Sequence, residues 1–215
     1  RLSLVGSEMC IRDSHKTEQF FKIELKINNE NTNNNIAINA IFEDKDGAIW
    51  IGTRGFGLIK IVVPSKYDGL FPDLINKLQI FHYLREPNNN SSITSNSISD
   101  MIQNTDGNLW ISTLNGICVF DTEKEMCIKT YNYDSNNVHS LSSNFTTAIE
   151  IDIDNNIWIA TQGGGLNKYD PDNDCFIRFL NDPTKLNSIN NNFLRSITFD
   201  LSLIHISEPT RLRRI

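Results

Sequence analysis

The stretch FEDKDGAIWIGTRGFGL at residues 42–58 occurs again, with substitutions, as IQNTDGNLWISTLNGI at residues 102–117 and EIDIDNNIWIATQGGGL at residues 150–166. The tryptophans of the three copies, Trp50, Trp110 and Trp158, lie 60 and 48 residues apart. A second marker, ITSNSI from Ile93, LSSNFT from Leu141 and INNNFL from Ile189, recurs every 48 residues. A period of about 20 to 50 residues is typical of stacked repeat units.

Each unit shows the pattern of short strands separated by turns. A mixed strand comes first and is followed by the turns DKDGA, TDGN or DIDNN, where Gly47, Gly107 or Asn155 can adopt a positive φ. A compact apolar strand (IWIGT, LWIST, IWIAT), a glycine-rich reversal and two further strands complete the unit, the last strand being aromatic. About four strands joined by local hairpins in such a period fit one blade of a β-propeller. Helical periodicity is absent, which argues against a helical repeat.

The sequence therefore predicts an all-β fold, an incomplete β-propeller with three to four four-stranded antiparallel blades in an open arc. The predicted blades are residues 36–92, 93–140 and 141–188, and residues 189–200 begin another. Residues 66–77 form an insertion in the first unit. Trp50, Trp110 and Trp158 are predicted to be the core of the repeat, since one large side chain per blade can fill the layer between blades. The alternative is sugar stacking on an exposed indole.

The two ends of the chain are predicted to be foreign segments. One nucleotide sequence that encodes SLVGSEMCIRDS near the start has a reverse complement that encodes LSLIHISEPTR near the end. That oligonucleotide resembles a transposase adapter used in sequencing libraries. Residues 1–14 and 201–215 are therefore expected to be adapter sequence around a natural fragment at 15–200, with localisation signals and further domains cut away.

Composition excludes several classes of function. The net charge of −6 and the pI near 5.2 argue against nucleic acid as a partner, because that binding depends on clustered lysine and arginine. The apolar stretches are too short to cross a bilayer, so no membrane contact by this fragment is expected. Cys10, Cys118, Cys127 and Cys175 form no CxxC pair or zinc spacing.

No metal site, cofactor or catalytic site is predicted. Asp170, Asp172 and Asp174 are spaced like the start of a calcium loop, but Cys175 and Asn181 occupy the positions of its required glycine and glutamate. Hydrolysis of a glycoside needs two placed carboxylates, or a tyrosine nucleophile with an arginine cluster. The natural stretch shows neither, and it has no serine or cysteine in a catalytic arrangement with histidine.

The strings DKDGAIWIGTRGFGL and TQGGGLNKYDP resemble the two-component regulator propeller repeat, found in the sensory regions of bacterial hybrid two-component systems. The resemblance covers nearly all of residues 15–200. It implies a propeller on the periplasmic side of a membrane-spanning histidine kinase, often one that senses saccharides, in a receptor that is a homodimer. The chain departs from the repeat at Ser112, Ala160 and Asn155, which affects local turn geometry alone. A propeller needs about 4 to 8 blades, so this chain cannot close a ring.

In a propeller, the loops between the second and third strands and the loops between blades emerge on one face. The loops between blades are rich in asparagine and serine, whose groups can pair with sugar hydroxyls. The predicted ligand-binding residues are Arg54, Asn96, Asn115, Asn144, Gln162 and Asn192.

The predicted function is ligand sensing. The chain is expected to be part of a sensor that binds an oligosaccharide and signals to a kinase module outside the fragment. Two alternatives stay open: a propeller that is purely a protein-interaction scaffold, and a fragment of an extracellular polysaccharide-degrading enzyme.

Overall fold

The computed structural model describes residues 36–64 and 77–199 in full, and it gives the backbone of strands at residues 2–5, 8–13, 19–23 and 204–207. Strands and turns account for the described residues, among which there is no helix that could cross a membrane. The predicted adapter segments at 1–14 and 201–215 and the predicted insertion at 66–77 lie outside the fully described residues, apart from Lys77.

The strands form five antiparallel sheets in chain order. The first sheet contains β1 (Leu2–Val5), β2 (Glu8–Asp13) and β3 (Gln19–Ile23). Blade 1 contains β4 (Ile38–Glu43), β5 (Ile49–Thr53), β6 (Leu58–Val62) and β7 (Gln79–Tyr83). Blade 2 contains β8 (Ile98–Gln103), β9 (Leu109–Thr113), β10 (Gly116–Asp121) and β11 (Met126–Tyr131). Blade 3 contains β12 (Thr146–Ile151), β13 (Ile157–Thr161), β14 (Gly165–Asp170) and β15 (Cys175–Phe179), and β16 (Ser196–Phe199) then pairs with β17 (Ile204–Ser207). The predicted all-β class and four-stranded blades are confirmed.

The blades are joined along their first strands. Strand β4 lies beside β8, β8 beside β12, and β12 beside β16. Within each blade the strands are hydrogen-bonded in sequence order, so the first strand is innermost and the fourth is outermost. The first strands therefore line the inner side of an open arc.

An aspartate organises the turn between the first two strands of blades 1 and 3. In blade 1, the Oδ1 atom of Asp44 accepts hydrogen bonds from the backbone N–H groups of Asp46 and Ala48 at 3.0 and 2.8 Å. Asp152 accepts the equivalent bonds in blade 3. Asn155 adopts a φ of 63° where blade 1 has Gly47 at 80°, because asparagine tolerates the left-handed region. The turn therefore keeps its geometry without glycine.

The repeated tryptophans lie between successive blades. Trp50 is 0% exposed, Trp110 is 4% exposed and Trp158 is partly buried. Each indole contacts an aromatic ring of the following sheet: Phe120, Tyr169 and Phe199, with ring centroids at 5.6, 4.8 and 6.4 Å. Trp158 is the most accessible of the three, and its following sheet has two strands. Large aromatic side chains thus fill the layers between blades.

Candidate ligand-binding face

The candidate face is the end of the arc at which the first strands begin. The turns between second and third strands reach this end, and so do the loops that join one blade to the next. The opposite end carries the turns between first and second strands and between third and fourth strands. These two ends are called the candidate ligand face and the opposite face below.

A glycine with positive φ closes each turn between second and third strands. Gly57, Gly116 and Gly165 have φ values of 76°, 81° and 72°. A Cβ atom at any of them would overlap the carbonyl oxygen at the end of the fourth strand of the same blade. These positions require glycine for both conformation and space.

Three of the predicted ligand-binding residues hold the loops between blades in place. The Oδ1 atoms of Asn96, Asn144 and Asn192 accept hydrogen bonds from the backbone N–H groups of Arg85, Tyr133 and Asn181, at 2.6, 2.7 and 2.7 Å. Their backbone carbonyls accept hydrogen bonds from the turn glycines Gly57, Gly116 and Gly165 at 2.8, 2.8 and 2.9 Å. Each asparagine therefore ties a loop to a turn, and its side-chain oxygen is committed inside the protein.

Asn115 also makes internal hydrogen bonds. Its Nδ2 donates to the carbonyl of Thr94 at 3.3 Å, and its own carbonyl accepts from Asn132 Nδ2 at 3.0 Å. The turn of blade 2 is one residue shorter than the turns of blades 1 and 3. For this reason Leu114, and not Asn115, occupies the place that Arg54 and Gln162 occupy in their blades.

Arg54 and Gln162 are exposed and directly follow the second strands, next to the start of the inner strands. Their backbone N–H groups donate to the carbonyls of Ala37 and Phe145, both at 2.8 Å. Ala37 and Phe145 are the residues immediately before the inner strand of the same blade. Arg54 also forms a β-bridge with Ser97 and Gln162 one with Phe193, which precede the next inner strands. Both side chains are thus placed by backbone pairing to two consecutive blades.

A pocket of about 420 Å³ lies at the inner mouth beside Gln162. Its other lining residues are Thr147, Asn191, Phe193, Leu194 and Arg195. Phe193 is 54% exposed, and Phe145, its equivalent one repeat earlier, is 52% exposed. The mouth therefore combines open aromatic faces with an amide, a hydroxyl and a guanidinium group.

Phe145, Phe193 and Arg195 were not predicted as site residues. The signal that could have found them is the second sequence marker, in which Ser97, Phe145 and Phe193 directly follow the loop asparagines. A phenylalanine in a polar loop, at a position where another repeat has serine, indicates a side chain that the core does not require.

Polar side chains of the inner strands connect the blades. The register of each inner strand shifts at Asn39, Ser99 and Thr147, which gives a repeated β-bulge. These side chains donate to the carbonyls of Ile98, Thr146 and Leu194, at or just before the start of the next inner strand, at 2.8, 2.8 and 2.9 Å. Arg195 stands at the equivalent position after blade 3 and lines the pocket.

A half-buried carboxyl group lies on the inner strand of blade 2. Asp100 Oδ2 accepts a hydrogen bond from the backbone N–H of Ile149 in the next blade at 3.0 Å, and its Oδ1 accepts from Met101 N–H at 2.9 Å. Burial raises the pKa of Asp100, and the two backbone hydrogen bonds oppose that shift. With both oxygens engaged, Asp100 connects blades 2 and 3. In the described part of the chain, no group of histidine, cysteine and acidic residues could hold a metal ion.

Comparison with protein families identifies the repeat. The family model described as two component regulator propeller matches residues 32–55, 92–115 and 140–163. Each match covers the inner strand, the turn after it and the second strand of one blade. The predicted resemblance is confirmed in three copies. No curated protein matches the chain.

Solved structures share the architecture. An extracellular domain of a hybrid two component system from B. thetaiotaomicron is 19% identical, over 80% of this chain and 22% of its own, with a TM-score of 0.60. A second such domain from that organism is 22% identical over 89% of this chain and 23% of its own, with a TM-score of 0.57. PorZ, a surface component of the type-IX secretion system of Porphyromonas gingivalis, is 16% identical over 94% and 28%, with a TM-score of 0.66.

These similarities establish the fold. The predicted open arc of propeller blades is confirmed, and the chain spans less than a third of each of these three proteins.

Proposed function

We propose that this chain, which carries three two component regulator propeller repeats, is part of the ligand-sensing propeller of a bacterial hybrid two-component regulator. Support comes from the repeat itself and from the extracellular domains of hybrid two component systems that share its fold. The sensor lies on the periplasmic side of the membrane, and a histidine kinase outside the chain receives the signal.

The proposed ligand is an oligosaccharide, and the observation that carries this proposal is the pocket at the inner mouth. Its volume of about 420 Å³ is in the range of small-molecule sites. Sugar hydroxyls both donate and accept hydrogen bonds, which matches the amides of Gln162 and Asn191 and the hydroxyl of Thr147. The exposed ring of Phe193 offers an apolar surface for the carbon face of a sugar ring.

The proposed mechanism is a ligand-dependent shift between two arrangements of a homodimeric receptor. A ligand can shift this equilibrium only by as much as its affinity differs between the two arrangements. The pocket lies where Gln162 of blade 3 meets Phe193 and Arg195, which lead into the next sheet. Occupancy at this place can alter how successive blades meet, and so provides the differential contact.

Calorimetry on the complete sensor region tests the proposal. Defined oligosaccharides are titrated into the parent, Gln162→Ala, Arg195→Ala and Asn136→Ala, the last being an exposed loop residue away from the pocket. We expect the two pocket variants to bind at least about tenfold more weakly, and Asn136→Ala to match the parent. Absence of heat with every saccharide would favour the interaction scaffold, and product formation would favour a polysaccharide-degrading enzyme.

The intact gene provides an independent test of signalling. We expect a histidine kinase module downstream of the propeller. If the gene encoded no signalling domain, the regulator hypothesis would be abandoned even if saccharide bound.

A further inference from the structure

A second cleft, of about 520 Å³, lies between blades 2 and 3 on the opposite face. Asn104, Asp106, Trp110, Val119, Lys129 and Tyr169 are among its lining residues. The cleft is therefore separate from the proposed sensor pocket at the inner mouth. Three features of the cleft wall distinguish blade 2 from the other blades.

The first departure is Val119. The residue paired with the repeated tryptophan on the neighbouring strand is Lys60 in blade 1, Val119 in blade 2 and Lys168 in blade 3. The Nζ atoms of Lys60 and Lys168 lie 5.1 and 5.4 Å from the centroids of Trp50 and Trp158. Val119 is shorter than lysine and lies with Trp110 in the wall of the cleft.

Lys129, on the fourth strand of blade 2, forms an ion pair with the next blade, as Lys60 does from the third strand of blade 1. It pairs with Asp174 of blade 3 at 2.5 Å, as Lys60 pairs with Glu125 of blade 2 at 2.7 Å. Lys129 lies over Tyr131, with its Nζ atom 5.2 Å from the ring centroid. Blade 2 thus keeps an ion pair to the next blade, while the residue beside its indole is the shorter Val119.

The second departure is in the turn between the first two strands. In blade 1 the N–H of Lys45 donates to Gln103 Oε1 of blade 2 at 3.0 Å, and the Lys45 side chain reaches Gly107. Blade 2 has Thr105 at the position of Lys45, and blade 3 has Ile151 at the position of Gln103. Isoleucine has no acceptor, so the turns of blades 2 and 3 are not joined in this way.

The third departure leaves the indole N–H of Trp110 without a partner. Asp44 and Asp152 accept the N–H of Trp50 and Trp158 at 2.7 and 2.8 Å. Blade 2 has Asn104, whose single oxygen accepts from Asn108 N–H and whose Nδ2 donates to Asp106. The Nε1 atom of Trp110 is buried and has no hydrogen-bond partner among the described residues. Buried N–H groups in native proteins nearly always have one.

We infer that this cleft is a second binding site, for a neutral monosaccharide or disaccharide, and this inference does not depend on the proposed sensor pocket. The indole N–H requires an acceptor oxygen. The amides of Asn108 and Asn155 can donate to and accept from hydroxyl groups, and the side-chain oxygen of Asn156, whose Nδ2 donates to Asp152, can accept. Asp106 and Asp154 are exposed carboxylates that accept from hydroxyls and repel anions.

Tryptophan fluorescence of the 215-residue chain, at about 1 μM, tests the site. The probes are D-glucose, D-galactose, D-mannose, lactose and cellobiose, each up to about 10 mM, a range that detects millimolar dissociation constants. We expect at least one sugar to change the emission. Trp110→Phe removes the N–H but keeps an aromatic ring, and it should abolish that change.

The repeat supplies matched variants. Val119→Lys introduces the residue found in blades 1 and 3 and should weaken binding about tenfold or more by filling the cleft. Asn104→Asp gives the indole N–H its acceptor and should weaken binding severalfold, while Asn136→Ala, in an exposed loop outside both pockets, should leave it unchanged.

A second readout excludes an effect of the variants on folding. A bound sugar raises the urea concentration at which the chain becomes sensitive to protease, because it binds the folded state alone. We expect that protection in the parent and its loss in Val119→Lys. Glucuronate and glucosamine serve as charged probes in the same two assays. The inference is overturned if no neutral sugar changes either readout, if the effects persist in Val119→Lys, or if the charged sugars alone produce them.

Discussion

At the scale of single residues, the pairing of aspartate with tryptophan explains why the two occur six positions apart in the repeat. Asp44 receives two backbone N–H bonds and one indole N–H bond, so one carboxylate fixes both the turn and the core ring. An amide at this position loses the second acceptor oxygen. Blade 2 shows this loss at Asn104.

Asn104→Asp is therefore expected to stabilise the chain. The added acceptor oxygen would pair with the buried N–H of Trp110, whose unmet hydrogen bond costs about 1–3 kcal/mol. Urea unfolding monitored by pulse proteolysis should show a higher midpoint. The reciprocal change, Asp44→Asn, should lower the midpoint, and a fall for Asn104→Asp would contradict the pairing.

Gly116→Ala is expected to destabilise the chain strongly. The left-handed conformation costs a non-glycine residue about 1–2 kcal/mol, and the new Cβ would also overlap the carbonyl of Tyr131. Gly47→Ala is the matched control, since Gly47 has a φ of 80° but open space around its Cβ position. The free energy of unfolding should fall more for Gly116→Ala; equal losses would show that the overlap is unimportant.

Asp100 is expected to make stability depend on pH. Burial raises the pKa of Asp100 in the folded state above the unfolded value of about 3.9. At pH values between these two pKa values, the folded state binds more protons than the unfolded state. The contribution of Asp100 to stability therefore decreases as pH rises through that window. The parent should gain stability relative to Asp100→Asn when pH is lowered from about 7 to about 4. A pH-independent difference in urea midpoints between the two would refute this expectation.

The sequence pattern predicts which loops share the candidate face, but it does not reveal which of their side chains are already hydrogen-bonded within the protein. Asparagine can serve as a ligand contact or as a backbone clamp, and composition does not separate the two roles. The Oδ1 of Asn144, for example, reaches a backbone N–H eleven residues earlier, which only the folded loop reveals. Gln162 could be selected because it follows a strand in a repeated position, and the structure places it in the pocket.

At the scale of elements, the periodic pattern of the sequence predicts the order of strands and turns, but it does not predict the β-bulges. The compact strands such as β9 were evident because they are apolar and flanked by turn residues. The inner strands contain one extra residue each, at Asn39, Ser99 and Thr147, and these residues differ in type. They share a donor group and a carbonyl partner in another blade, which local sequence cannot show.

Ser99→Ala is expected to weaken the junction between blades 2 and 3. It removes the hydrogen bond to the carbonyl of Thr146 and should cost about 1 kcal/mol. Ser99→Thr is the control, because blade 3 uses Thr147 for the same bond and the hydroxyl is kept. If unfolding showed the same midpoint for Ser99→Ala and the parent, the bond would contribute nothing measurable.

At the scale of the whole molecule, the blades depend on their neighbours for burial. Trp50 and Trp110 are covered because blades 2 and 3 follow them, whereas Trp158 is followed by a two-stranded sheet and stays partly accessible. The outer strand of blade 3 likewise has no four-stranded blade after it, and its Phe179 is 39% exposed. The period of the tryptophans predicted the stacking of blades, since repeat units gain stability from nearest-neighbour interfaces.

An arc with unpaired blade surfaces is expected to be poorly soluble at high concentration. Exposed apolar surface and strand edges favour association between chains. Ile177, Phe179 and Leu180 at the outer side of blade 3 are 48%, 39% and 47% exposed. Light scattering should show aggregates that grow with concentration, and adding the following blades from the intact gene should convert them to a monodisperse species. A monodisperse monomer of the 215-residue chain at about 100 μM would show that these surfaces do not drive association.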